Sequence, residues 1–200
     1  MSRVNFNIDS SSVVVGGHES VSKSRIARDV SFEFTLPDAS AGGAPLSSAE
    51  LATDHDAVLV VLLRSHYCPC CRELVQSLAD AYQSFAARST AVVPVLPDRV
   101  ERGAVWHRRY ELPFPILADP DPSTDENQFD TFERVQQYCR ERPGGVLFRT
   151  SSEGNEDLRM VTTFGGETPQ DFPAVEEIIA EIEARSDEPN GTEAELRADS

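Results

Sequence analysis

Lysine is almost missing from this chain: the 18 basic side chains are 17 arginines and the single Lys23. Acidic side chains number 34, so the net charge is −16. That balance argues against polyanionic partners, so neither nucleic acid nor an anionic membrane surface is expected. It resembles the surface of a protein from a high-salt cytoplasm, where screening relieves self-repulsion. No apolar run approaches the length of a transmembrane span. Met1–Asp29 has no apolar core of signal-peptide length, Val13-Val14-Val15 being far too short, and a cytoplasmic location is expected. Cysteine is scarce too. Four in 200 residues, three of them clustered, is not a secreted disulfide framework. It fits a reducing compartment with a working redox pair. There is no second C-x-x-C, which argues against a four-thiolate zinc site. No phosphate-cradling glycine loop follows a strand, so no organic cofactor is implied. No internal repeat is visible.

What the chain does have is concentrated at one junction. Ala57 to Leu63 is a seven-residue apolar run, the pattern of a fully buried strand. Four residues, Arg64 to Tyr67, then lead to Cys68-Pro69-Cys70-Cys71. Leu74, Val75, Leu78, Tyr82 and Phe85 then follow at helical spacing. Pro69 suits the first helical position, since its missing N–H has no intrahelical partner there. Cys68 takes the cap, and Cys71 lies about one turn in. Free N–H groups and the positive end of the helix dipole stabilise a thiolate at such a start. The thiolate is the nucleophile, and helix starts with C-x-x-C spacing lower thiol pKa values. The three-residue step predicts that the sulfurs of Cys68 and Cys71 lie close enough to bridge.

Strand, Cys-Pro-x-Cys and helix together resemble the thioredoxin superfamily. Phe34-Thr35-Leu36-Pro37-Asp38 upstream resembles the peroxiredoxin-like redoxins, the alkyl hydroperoxide reductase and thiol-specific antioxidant family. So does Leu112-Pro113-Phe114-Pro115-Ile116-Leu117-Ala118-Asp119-Pro120 downstream. The likeness spans roughly residues 30 to 184. It implies an α/β, thioredoxin-like fold with a central mixed sheet flanked by helices. It also implies a thiol peroxidase or thiol–disulfide oxidoreductase, acting on a peroxide or a protein disulfide and reset by an external dithiol such as a thioredoxin.

Two assignments of the attacking sulfur stand side by side. Exposure at the cap favours Cys68, with Cys71 resolving. The peroxiredoxin pattern Pro-x-x-x-Thr-x-x-Cys, with its cysteine laid on Cys71, instead puts the threonine at Cys68 and the proline at Arg64. By the same resemblance, Pro143 is a candidate cis-proline lining the substrate groove with Pro69. Arg142 or Arg64 would be the cation that stabilises the thiolate and the developing peroxide charge. Cys70, a quarter turn or more from Cys71, reads as a small packing residue. Cys139, late in a helix expected over Phe129 to Cys139, reads as buried, with a resolving role as its alternative. His66, two residues before Cys68, either tunes the thiolate or joins Cys68, Cys70 and Cys71 in a copper or zinc module. No metal is assigned.

The rest of the chain falls into order around that junction. Residues 1–29 read as a loosely ordered extension, 30–184 as the domain and 185–200 as an acidic disordered tail. Val30, Phe32, Phe34 and Leu36 alternate as one strand ending in a loop through Gly43. A short capped helix is expected over Ser47 to Thr53. Ala91 to Leu96 reads as a second parallel strand interrupted by Pro94. Arg99 to Tyr110 reads as a helix, and Phe114 to Ala118 as a strand near an edge. Val146 to Thr150 and Leu158 to Phe164 read as a hairpin. Val175, Ile178, Ile179 and Ile182 form the apolar face of a last helix.

Overall fold

The buried run does become the middle of the molecule. In the computed structural model it is β4 (Ala57–Leu62), and all of its residues are buried. The structure describes residues 31–119, 143–150, 158–165 and 168–186. Ahead of β4 come β1 (Ser31–Phe32), β2 (Thr35–Asp38), β3 (Ala44–Ser47) and α1 (Ser48–Asp54). After it come α2 (Pro69–Asp80), α3 (Tyr82–Ala86), β5 (Thr90–Leu96), α4 (Val100–Arg109) and β6 (Leu117–Ala118). The described chain closes with β7 (Gly144–Thr150), β8 (Leu158–Phe164) and α5 (Val175–Ser186). The expected helix over Phe129 to Cys139, the extension over 1–29 and most of the acidic tail lie outside the described residues.

One mixed sheet runs β1-β8-β7-β4-β5-β6-β2-β3. β4, β5 and β6 are parallel, and β7 runs antiparallel to β4. Burial on both faces explains why β4 reads as continuous apolar sequence rather than as an alternation. Ala57, Leu59, Val61 and Leu63 join one cluster with Val75, Leu78, Phe85, Trp106, Ile178 and Ile182 from the helices. Val58, Val60 and Leu62 join the other, with Phe32, Leu51, Phe148 and Leu158. So α2 to α5 lie on one face, and among the described helices α1 lies on the other. Among the described residues, no helix is long and apolar enough to cross a membrane.

Several expectations are corrected by neighbours. The alternation from Val30 to Leu36 is not one strand. β1 pairs with β8 at one edge, and β2 pairs with β3 and β6 at the opposite side of the sheet. The stretch expected as loop is a hairpin turn into β3. The Asp38 carboxylate accepts from the Ser40 N–H at 2.8 Å, and Gly42 and Gly43 take φ of 71° and 91°, a region open to glycine without a Cβ clash. Pro94 does not interrupt its strand. The Val95 carbonyl accepts from Leu63 N–H on the β4 side, and the Leu96 carbonyl accepts from Asp119 N–H on the other. Pro94 therefore faces the β6 side. There β6 pairs only with Val95 and Leu96, so the missing donor breaks no ladder bond. β6 is itself interior, between β5 and β2, rather than at an edge.

The helix starts follow the local chemistry. The Ser47 hydroxyl accepts from the Glu50 N–H, and the Glu50 carboxylate accepts from the Ser47 N–H, a complete capping box for α1. The long helix expected after the cysteines breaks at Ala81 into α2 and α3. Gly103, in mid-helix, is explained by contact. A Cβ there would lie 2.7 Å from the Cβ of Ala39, so glycine lets α4 approach the loop after β2.

Candidate active site

The cysteine cluster sits where β4 ends and α2 begins. Leu63 is still tied to the sheet through Val95, and Arg64 to Tyr67 carry the chain over the sheet's end. Cys68 is the N-cap of α2, with φ −69° and ψ 114°, and Pro69 stands in the first turn. An N-cap side chain accepts from backbone N–H groups that have no helical partner. Here the acceptor is sulfur: Cys71 N–H donates to Cys68 Sγ at 3.4 Å. Cys71 Sγ in turn accepts from the Arg64 N–H at 3.3 Å.

All three sulfurs lie within 4.8 Å of one another, so the predicted proximity of Cys68 and Cys71 holds. The shortest contact, however, is Cys68 Sγ to Cys70 Sγ, at 3.0 Å. Cys70 is half-buried and packs against the main core cluster, and it is also the nearest sulfur to Cys68. Cys68 is 7% exposed and Cys71 is not exposed at all.

These surroundings divide the thiols. Burial pushes Cys68 up, but the hydrogen bonds from Cys70, from the Cys71 thiol and from the Cys71 N–H act together against it, with the Arg64 charge adding to them. The outcome is a Cys68 thiol below its ordinary value. Cys70 is raised, first by its hydrogen bond to Cys68 and then by burial. Burial, then the bond to Cys68, pushes Cys71 up to about 12. A group held neutral to a higher pH when folded loses stability as pH rises from its unfolded value. For Cys71 that window runs from the ordinary thiol range up to about 12.

A pH profile of iodoacetamide alkylation follows from this division. Cys68 is expected to react at lower pH than free cysteine, whose pKa is about 8.5, whereas Cys71 is expected to stay unlabelled until the chain is denatured. The three cysteines share the tryptic peptide 65–72, so fragmentation must localise the label. A Cys68 profile at or above that of free cysteine would refute the division.

Other residues fall into place around the cluster. Pro143 is buried at the start of β7 and, with Cys70, lines a groove of about 620 Å3. Leu74, Ser77 and Asp80 of α2, with Ala81 just after it, form one wall of that groove, and Gln170 with residues 172 to 176 forms the other. Gly145 shapes the far wall, since a Cβ there would lie 3.3 Å from the Phe172 ring. None of the 170 to 176 wall was assigned to the site from sequence, and Val175 read only as part of a helix's apolar face, because nothing local marks Phe172 or Pro173 as facing a cysteine a hundred residues earlier.

Arg64 is exposed in the loop. Its backbone touches Cys71, and its charge acts on Cys68. The His66 ring packs against Trp106 at 5.6 Å and edge-on to Tyr67 at 5.3 Å. Its Nδ1 is buried without a hydrogen-bond partner. Among the described residues, the group spaced to hold a thiophilic ion is the three sulfurs, and His66 is not of it. Arg142 and Cys139 lie outside the described residues.

Comparison with known proteins bears on the family and the fold. The AhpC/TSA family model matches residues 27–136. No curated protein matches the chain. Among solved structures, the peroxidoxin BcpB of Mycobacterium tuberculosis is 18% identical with a TM-score of 0.61, covering 78% of this chain and 96% of that one. The bacterioferritin comigratory protein of Xanthomonas campestris, studied for alkyl peroxide reduction, is 12% identical with a TM-score of 0.55, covering 77% and 91%. A secreted disulfide oxidoreductase of Mycobacterium tuberculosis is 21% identical with a TM-score of 0.52, covering 76% and 95%. At such identities the likeness carries the fold: a thioredoxin-like α/β domain of the kind that peroxiredoxins share.

Proposed function

The chain belongs to the AhpC/TSA family and is a thiol-dependent redox enzyme of the thioredoxin superfamily, and from that premise we propose that it reduces peroxides with Cys68 as the attacking sulfur. The observation that carries this reading is the cap. Cys68 is the sulfur that receives a helix-start N–H and a neighbouring thiol while lying next to the Arg64 charge. The alternative register, with Cys71 attacking, is disfavoured by burial. A fully enclosed thiol pushed up to about 12 supplies almost no thiolate near neutral pH and gives a peroxide no approach.

The first step follows from these groups. The Cys68 thiolate attacks one peroxide oxygen and the O–O bond breaks. The departing alkoxide or hydroxide takes a proton, and Cys68 becomes a sulfenic acid. A second cysteine condenses with it, and an external dithiol restores the pair by exchange. The chain's own residues supply the thiolate, the N–H that holds it and the sulfur that resolves it. No organic cofactor is needed for these steps.

A second reading is favoured by the groove. About 620 Å3 lined by Leu74, Phe172 and Pro143 beside the cluster is more room than a small peroxide needs. It suits an extended peptide carrying a disulfide. Stopped-flow oxidation of the reduced protein separates the two. With hydrogen peroxide or an alkyl hydroperoxide, the second-order rate constant is expected to exceed that of free cysteine by roughly a hundredfold or more, the scale of preorganised donors. A rate equal to that of free cysteine, with rapid reduction of a protein disulfide, would replace the peroxidase reading with the second one.

A further inference from the structure

We propose that the first partner of oxidised Cys68 is Cys70, two residues on, rather than the Cys71 of the C-x-x-C spacing. The inference rests on Cys68 as the attacking sulfur and adds where its bond goes next. Three observations carry it. Cys70 Sγ lies 3.0 Å from Cys68 Sγ. Cys71 Sγ is enclosed in the main core and held by the Arg64 N–H. Cys70 lines the groove, whereas Cys71 does not.

The backbone allows the bond. Ideal helical geometry separates Cα atoms two positions apart by about 5.4 Å, inside the span a disulfide bridges. Closing the pair requires the sulfurs to approach by about 1 Å to reach bonding distance. Cys71 Sγ, within 4.8 Å of the other two sulfurs, has farther to move and accepts from the Arg64 N–H where it stands.

The chemistry balances. Cys70 sulfur attacks the sulfur of the Cys68 sulfenic acid, the S–S bond forms, the S–O bond breaks, and the hydroxyl departs as water with the Cys70 proton. With the first step, two electrons have passed from the two thiols to the peroxide. The same bond forms when Cys70 attacks a mixed disulfide on Cys68 and releases the substrate thiol. An incoming dithiol then meets Cys70 from the groove side. Its attack there breaks the bond and frees Cys68 as the leaving thiolate.

Differential alkylation of the full-length protein tests the proposal. Wild type is oxidised with one equivalent of hydrogen peroxide and, separately, with diamide, which pairs neighbouring thiols whether or not peroxide reacts. After acid quenching, free thiols take one label; after reduction, the formerly paired thiols take a second. Fragmentation of peptide 65–72 assigns the three positions, and peptide 135–140 reports Cys139. The second label is expected on Cys68 and Cys70, with the first on Cys71. In parallel, Cys70→Ser is expected to prolong the sulfenic acid by on the order of tenfold or more relative to Cys71→Ser, because the next sulfur is less well placed. The second label on Cys68 with Cys71 or Cys139, or the reverse order of the two variants, overturns the pairing. Slow peroxide oxidation with Cys68–Cys70 pairing by diamide overturns the peroxidase reading and leaves the pairing standing.

Discussion

Cys68→Ser is expected to lower the rate of oxidation by peroxide, and of disulfide reduction, by on the order of 10^3-fold or more. That corresponds to about 4 kcal/mol of barrier. The physical reason is that the nucleophile is removed while its setting survives. Serine is among the preferred N-cap residues, so its hydroxyl can take over the Cys71 N–H that Cys68 Sγ now accepts. The start of α2 should therefore persist, and the loss should be chemical rather than structural. The remaining thiols cannot substitute. Cys70 loses the neighbour it bonds at 3.0 Å, and Cys71 stays enclosed and raised to about 12. Stopped-flow kinetics on wild type and variant, with far-UV circular dichroism on both, make the measurement. A folded Cys68→Ser protein that is oxidised at the wild-type rate would remove Cys68 from the role of attacking sulfur.

The second large effect concerns stability. Phe85→Ala is expected to cost about 3–5 kcal/mol, the range for emptying a buried aromatic site. Phe85 lies on α3 and is fully buried in the cluster that also holds Cys71, Val75, Leu78 and the odd-numbered residues of β4. That cluster seats the helix bearing the cysteines on the sheet. Its neighbours belong to a β-strand and to helices braced from several sides, so little collapse into the void is expected. With domain stabilities of about 5–15 kcal/mol, the variant would keep a fraction of its margin. Val105→Ala supplies the contrast. Val105 is 44% exposed, and its truncation should stay within about 0.5 kcal/mol. Urea unfolding of the three proteins gives the comparison. A Phe85→Ala loss no larger than that of Val105→Ala would mean that the ring is not packed as described.

Much of this was written in short-range patterns. The apolar run at Ala57 announced β4 because a strand buried on both faces needs no polar positions. Pro69 and Cys68 announced the start of α2, since capping is settled within four residues. Ser47 and Glu50 announced α1 in the same way. The hairpin of β7 and β8 was legible from two β-rich segments and the turn residues between them. Pairings across long stretches of chain were not legible. β1 and β2 divide one alternating stretch between opposite ends of the sheet, and no residue between Val30 and Leu36 states which neighbour each half will meet. Pro94 looked disruptive because sequence does not show on which side of β5 a partner stops short. Gly103 sits in mid-helix because Ala39 lies against it, a contact made across the chain that no residue near Gly103 specifies.

By itself, then, the amino-acid order determined that this chain places a group of thiols at the opening turn of a helix behind a buried strand. Backbone dihedrals, caps and periodicity act over a few residues, so a local string suffices to specify them. Only the tertiary structure decided how the three sulfurs differ. Cys71 is enclosed by side chains from distant helices and strands, and Cys70 meets a groove completed by Pro143 and the 170 to 176 segment. Desolvation and access are properties of what surrounds an atom, and here part of those surroundings comes from the far end of the chain.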